Sequence, residues 1–250
     1  MMRFEGKVCV VNGAASEIGR AVAARFESEG AVVVGVDIVE HDVGADSVRV
    51  DLTDEEQVRQ LYADVVHAQG GLDVVYNNMG AMESGDLSLL STEIGTWRRV
   101  QDANLTSVFL SCKHAVPQLR DSEPSGGCIV NAASFLADVG SATAQMSFSA
   151  AKAGVVQLTR DLGVHLARSG IRVNAVLFGP IDTAAQRAVF EFSPNALEKR
   201  LVHWPMGRFG SLNEAAATVA FLASEEAGFI TATALPLDGG ITQAFTVPDS

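Results

Sequence analysis

The sequence predicts an α/β fold, a single doubly wound parallel sheet with helices on both faces. Two observations carry this. Short β-branched runs without a polar face alternate with longer amphipathic segments. No linker, repeat or low-complexity tract interrupts that alternation. Right-handed crossovers then leave a doubly wound sheet as the arrangement that covers both faces. At 250 residues the chain suits one such domain, spanning 1–250, with a sizeable core.

The elements follow in order. Residues 7–11 read as a strand that runs into a glycine-containing turn, and 18–29 as a helix stopped by Gly30. Residues 31–36 are a second buried strand, closed by Asp37. A further strand ends at Asp51-Leu52. Residues 54–68 are helical, with Asp54, Glu55 and Glu56 in the first turn, where the helix dipole favours acids. Residues 72–76 form a strand ending in Asn77-Asn78, and 97–119 a long helix bent near Pro117. Residues 128–132, 172–176 and 235–237 are strands; 147–168 and 213–223 are helices. Ligands in such sheets bind beyond the carboxyl ends of the strands.

Composition narrows the function. Hydrophobic residues make up 48% and charged residues 19%, the balance of a soluble, well-packed protein, and no apolar run is long enough to span a membrane. The start of the chain lacks the pattern of a secretion signal. A net charge of -12 argues against nucleic acid and anionic membrane as partners. Cys9, Cys112 and Cys128 sit in apolar segments, which points to buried thiols in a reducing cytoplasm rather than to disulfides. The five histidines show no metal-ligand spacing, so no metal site is expected.

The first turn, Asn12-Gly13-Ala14-Ala15-Ser16-Glu17-Ile18-Gly19, follows a strand and opens a helix. The free amides of that helix end suit a pyrophosphate. Asp37 supports a dinucleotide reading, because a carboxylate there accepts from both ribose hydroxyls and repels a 2′-phosphate, favouring NAD over NADP. Asp51 has two readings, an adenine contact beside Leu52 or a helix cap.

These motifs together resemble the short-chain dehydrogenase/reductase family over essentially the whole chain, and its 3-oxoacyl-reductase-like branch in particular. The family's T-G-x-x-x-G-x-G turn falls on 12–19 and its N-N-A-G on Asn77-Asn78-Met79-Gly80. Its helix asparagine falls on Asn104, and its strand-end serine on Ser134. Its Y-x-x-x-K falls on Phe148-Ser149-Ala150-Ala151-Lys152, and its N-x-x-x-P-G-x-x-x-T on 174–183. The resemblance implies a Rossmann-type sheet holding NAD(H) through Gly13, Ser16, Glu17, Ile18, Gly19, Asp37, Asp51, Leu52, Asn78, Lys152, Gly179, Ile181 and Thr183. It implies Ser134 as the residue that orients the substrate oxygen. Lys152 would hold the nicotinamide ribose and Asn104 would anchor a relay water. A homotetramer or homodimer built on the helices at 97–119 and 147–168 and on the chain end after Gly240 is the family expectation; a heteromer with a paralogue is an alternative.

The pattern breaks at two places. Phe148 stands where the family has its catalytic tyrosine, and no tyrosine lies between Ser134 and Lys152 in any register. A phenol of pKa about 10 can be tuned down by an ammonium; a phenyl ring has no proton to give. General acid–base catalysis is worth about 10²–10⁴-fold, so standard redox activity is expected to be impaired. Tyr62 and Tyr76 are the remaining tyrosines, and neither is placed to substitute. Glu17 replaces a glycine of the nucleotide turn. Either its charge faces the phosphates and weakens NAD(H) binding, or it swings outward as a helix N-terminal acid. Smaller departures are Asn12, Met79, Ala151 and Phe178.

Between about 184 and 211, the family's substrate lid, lie Phe190, Phe192, Leu201, Trp204, Met206 and Phe209. They either border a small apolar or aromatic ligand, together with Phe135 and Gln145, or pack the lid itself. Three functions stay open: an NAD(H)-linked oxidoreductase of a small apolar carbonyl or alcohol with impaired redox activity, an enzyme of the same fold doing cyclisation, dehydration or isomerisation, and a non-catalytic binding or scaffolding subunit. Whether the chain is an enzyme is therefore not decided by its sequence.

Overall fold

Valine-rich runs with no polar side need cover on both faces, and they have it. A computed structural model describes residues 2–121, 126–141, 143–191 and 195–244. Its seven strands are β1 (Val8–Asn12), β2 (Val32–Asp37), β3 (Asp46–Arg49), β4 (Val74–Asn77), β5 (Gly127–Ser134), β6 (Ile171–Phe178) and β7 (Ala234–Leu237). They form one sheet in the order β3-β2-β1-β4-β5-β6-β7, parallel throughout. The helices are α1 (Glu17–Ser28), α2 (Glu55–Gln69), α3 (Ile94–Gln101), α4 (Ser107–Asp121), α5 (Met146–Leu166), α6 (Ala184–Glu191), α7 (Ala196–Leu201) and α8 (Leu212–Ala223).

Strand residues alternate between two cores. Val10, Val75, Ile129 and Val173 face α2, α4 and α5, where they meet Leu61, Val108 and Val155. Cys9, Val11, Tyr76 and Val130 face α1 and α8, where they meet Val22, Phe26 and Val219. Cys9, Cys112 and Cys128 are buried free thiols. No helix among the described residues is long and apolar enough to cross a membrane.

Side chains fix the helix starts. Ser16 Oγ accepts from Gly19 N at 3.0 Å and opens α1. Asp54 accepts from Glu56 N and Gln57 N and opens α2. Ser211 and Glu214 cap α8 reciprocally. One expectation needs correcting. The long helix expected at 97–119 begins earlier, at Ile94, and Pro117 lies inside α4. Its departure from regular geometry is a π turn at Asp102–Thr106. An extra residue in one turn is a known companion of functional positions, and this one carries Asn104.

The strand order reverses between β2-β1 and β4, so loops diverge above β1 and β4 and leave a cleft there. Asn12, Asn77 and Asn131 stand level with one another on β1, β4 and β5. Asn12 Nδ2 donates to Asn77 Oδ1 at 2.8 Å, Asn77 Nδ2 to Asn131 Oδ1 at 2.8 Å, and Asn131 Nδ2 to Thr159 Oγ1 on α5 at 3.0 Å. This buried amide row joins the root of the first turn to the helix that carries Phe148 and Lys152.

Candidate active site

The cleft above β1 and β4 measures about 240 Å³. Its walls include Gly13, Ser16, Asp37, Asp51, Leu52 and Asn78, six of the residues expected at a dinucleotide. Gly13 sits at φ +74°, and a Cβ there would come within 2.6 Å of the Asn78 carbonyl. A Cβ on Gly19 would come within 2.2 Å of the Gly13 carbonyl, so α1 approaches the turn only because both are glycine. Asn78 Nδ2 locks the turn from the other side, donating to Gly13 O at 3.2 Å and Ser16 Oγ at 2.7 Å. Ile18 turns away and packs against the α1–α8 core.

Asp37 lines the cleft at the end of β2, and its Oδ2 accepts from Ala15 N at 3.0 Å. Asp51 also lines the cleft and accepts from Thr53 N and Thr53 Oγ1 at 2.9 and 2.7 Å. The capping role weighed for Asp51 belongs to Asp54 instead. The adenosine end of a dinucleotide therefore fits: an apolar slot, a tight glycine turn and a carboxylate at the strand end.

The next stretch is different. Glu17 is exposed, and its Oε2 accepts from Ala184 N at 2.7 Å. The side chain that has two readings in the sequence joins the glycine-rich turn to the first residue of α6. Gly179 packs against Asp238, where a Cβ would come within 2.5 Å of its Cα. Ile181 bridges to Gly210. Thr183 Oγ1 accepts from Gln186 N at 3.1 Å. These three residues form the root of α6 and lie outside the 240 Å³ cleft.

The positions expected to be catalytic gather around α5. Lys152 is buried, with Nζ donating to Met79 O at 2.5 Å and Ala132 O at 3.1 Å. Burial brings its pKa down to about 7. The Phe148 ring lies 5.5 Å from Nζ, a cation–π contact where the family has a phenol. Ser134 ends β5 and is level with Phe178 on β6; its Oγ accepts from Leu136 N at 3.3 Å. The Asn104 amide is fully engaged by the loop after β4, bonding Ala81 N at 3.1 Å and Ala81 O at 2.7 Å, and it donates to Val100 O at 2.9 Å. Tyr62 OH is buried and bonded to Asn12 and Ser111. Tyr76 OH donates to Asn78 Oδ1 at 2.9 Å. Burial raises the pKa of both phenols, so neither replaces the missing one.

One residue escapes sequence reasoning. Asp86, buried in the loop after β4, accepts from Ser147 N at 3.0 Å and Phe148 N at 2.9 Å. It caps α5 from 61 residues away. Gln145, the residue next to the helix start, makes no side-chain cap. The hydroxyls of Ser147 and Ser149 flank Phe148, buried and without a partner among the described residues.

Phe190, Trp204 and Phe209 meet edge to face, with centroids 5.0–6.2 Å apart, so these three pack the lid on itself. Arg200 lies over Phe190 at 5.6 Å. Leu201 is half-buried and Met206 exposed; Phe192 lies outside the described residues. Phe135 is half-buried beyond β5, and Gln145 Nε2 bonds Ser141 and Thr143.

Comparison with known proteins agrees with this geometry. The family model described as enoyl-(acyl carrier protein) reductase matches residues 13–242. The chain is 34% identical over 252 residues to a 3-oxoacyl-[acyl-carrier-protein] reductase of Thermotoga maritima, covering 96% of this chain and 99% of the relative. It is 40% identical over 253 residues to the cis-4-hydroxycyclohexanecarboxylate dehydrogenase of Sinomonas cyclohexanicum, covering 96% and 98%. Among solved structures, the ligand-free aldohexose dehydrogenase of Thermoplasma acidophilum superposes with a TM-score of 0.89 at 33% identity, over 99% of this chain and 98% of that one. Levodione reductase does so with a TM-score of 0.88 at 32% identity, over 97% and 100%.

Proposed function

The chain belongs to the short-chain dehydrogenase/reductase family, and from that premise we propose that it is an NAD(H)-linked oxidoreductase of a small apolar carbonyl or alcohol, slowed at the proton step. The observation that carries this reading is the Phe148 ring 5.5 Å from Lys152 Nζ, in a site that otherwise keeps Ser134, Lys152 and Asn104. The relatives named for hydroxycyclohexanecarboxylate and for meso-2,3-butanediol support a small alcohol or carbonyl as substrate.

When bound, the nicotinamide ring gives or takes the hydride. The chain's own residues do the rest. Asp37 holds the ribose hydroxyls and disfavours a 2′-phosphate. Gly13, Ser16 and Asn78 shape the turn beside it. Thr183, Ile181 and Gly179 would hold the nicotinamide end. Ser134 Oγ–H donates to the substrate oxygen and orients it. Lys152 holds a proton at Nζ with a pKa near neutrality and passes it through water to that oxygen. Proton delivery by a positioned phenol would be about 10²–10⁴-fold better. Asn104 keeps the loop after β4 against this site through Ala81.

Phe148→Tyr tests this reading. In a protein that binds NADH, the variant should consume NADH about 10²–10⁴-fold faster with a panel of small cyclic and acyclic ketones. No gain on any of them would refute the redox reading. The Glu17–Ala184 bond across the cofactor path favours a second reading, non-redox chemistry in the same pocket. Failure of both the chain and its Glu17→Gly variant to bind NADH in calorimetry would select it. We further propose that the protein is a homo-oligomer built on α3 and α4, where Ile94, Trp97 and Phe109 are exposed.

A further inference from the structure

Glu17 is the first residue of α1. A carboxylate at that position is expected to stay with its own helix end, where the dipole holds it. Instead Oε2 takes the amide of Ala184, the first residue of α6, at 2.7 Å. The two residues are 167 positions apart. The start of α6 is built around this acid. Thr183 Oγ1 accepts from Gln186 N, and Arg187, one turn on, feels the Glu17 charge while it pairs with Asp182. Ala184 N has Glu17 as its partner, and water takes over when that side chain leaves. The bond also has a particular place. On one side is the glycine-rich turn, on the other the root of α6 at Gly179, Ile181 and Thr183. Those two segments are the ones assigned above to the pyrophosphate and nicotinamide.

We propose that Glu17 is an internal clasp, holding α6 down on the nucleotide turn, and that a dinucleotide binds only as this clasp opens. The proposal rests on the cofactor reading given above and deepens it. Glu17 then sets cofactor affinity in two ways. Its bond to Ala184 must be exchanged for water, and its charge must leave the neighbourhood of two phosphates. Cofactor binding and release of α6 become one event, and by reciprocity anything that loosens α6 tightens cofactor binding.

Two variants and two readouts test this. Hydrogen exchange on the cofactor-free protein reads the clasp without any nucleotide. Glu17→Ala should speed exchange at the start of α6 and leave exchange across α8 as it was. Calorimetry with NADH reads the coupling. Affinity should rise about tenfold in Glu17→Ala, an effect discounted for an exposed bond. Glu17→Gln keeps an acceptor oxygen without the charge and should fall between the two proteins. Adding NADH to the unaltered chain should itself speed exchange at the start of α6. Unchanged exchange in Glu17→Ala would overturn the clasp while leaving the cofactor reading intact if NADH still binds. Faster exchange with unaltered NADH affinity would overturn the coupling. If neither protein binds NADH, the cofactor reading falls and takes the coupling with it, whatever α6 does.

Discussion

Lys152 is a lysine without an ionic partner among the described residues, buried beneath the Phe148 ring. Its recorded bonds go to two backbone carbonyls, and burial holds its pKa at about 7 instead of 10.5. The proton-binding difference between folded and unfolded chains fixes the consequence. Between about pH 7 and pH 10.5 the unfolded chain keeps the proton and the folded chain has lost it, so stability rises with pH across that window. Below pH 7 both carry it, and the folded state bears the full cost of the buried charge. At about 1.4 kcal/mol per pH unit between the two values, that cost is about 5 kcal/mol. Replacing the group with Lys152→Met should therefore stabilise the protein most at low pH, and the gain should shrink as pH rises. Urea unfolding of both proteins at pH 6.5, 7.5 and 8.5 measures this, and the difference between them cancels every other titrating group. The gain should fall by about 2 kcal/mol between pH 6.5 and pH 8.5, most of it above pH 7. A difference that stays constant with pH would refute the reasoning, since the lysine would then titrate outside the window.

Other perturbations reach different parts of the site. Asp37→Ser should narrow the preference for NADH over NADPH by about tenfold or more, because a carboxylate no longer opposes the 2′-phosphate; calorimetry with both cofactors reads it. Asp86→Ala leaves the amides of Ser147 and Phe148 without their acceptor and should cost about 2 kcal/mol in urea unfolding. Asp86→Asn, which keeps one acceptor oxygen, should cost less. Phe109→Glu, on an exposed stretch of α4, should shift the sedimenting species to a smaller size; an unchanged sedimentation coefficient would remove that face from the interface.

The scaffold was legible because its signals are local. Gly30 closes α1 just beyond its last residues, as its place in the sequence signals, and the acids cluster at the start of α2; the caps themselves, Ser16 and Asp54, were not singled out. Valine runs without a polar face marked the strands. The π turn at Asp102–Thr106 was not legible, because one extra residue in a helix barely alters its apolar period. It carries the Asn104 amide, which bonds a loop that precedes the helix. Asp86 sits in a stretch without periodicity, and nothing near it in sequence announces that it caps α5. Glu17 drew attention as a departure from glycine, but its partner lies near the other end of the chain. The lid aromatics were ambiguous for a related reason: an apolar side chain reads the same whether it meets a ligand or, like Trp204, two phenyl rings.

The amide row on β1, β4 and β5 also works as a registration mark. A slip of one residue in β5 would set Asn77 against Val130 or Ala132 and strand its amide in the core. The row cannot close in chain order. β1 emerges first, yet Asn12 waits for Asn77, and Asn77 for Asn131, which in turn meets Thr159 on α5. The turn that begins the chain's binding cleft is therefore completed only after more than half of the protein has been made, and a newly started chain has no finished pocket to offer.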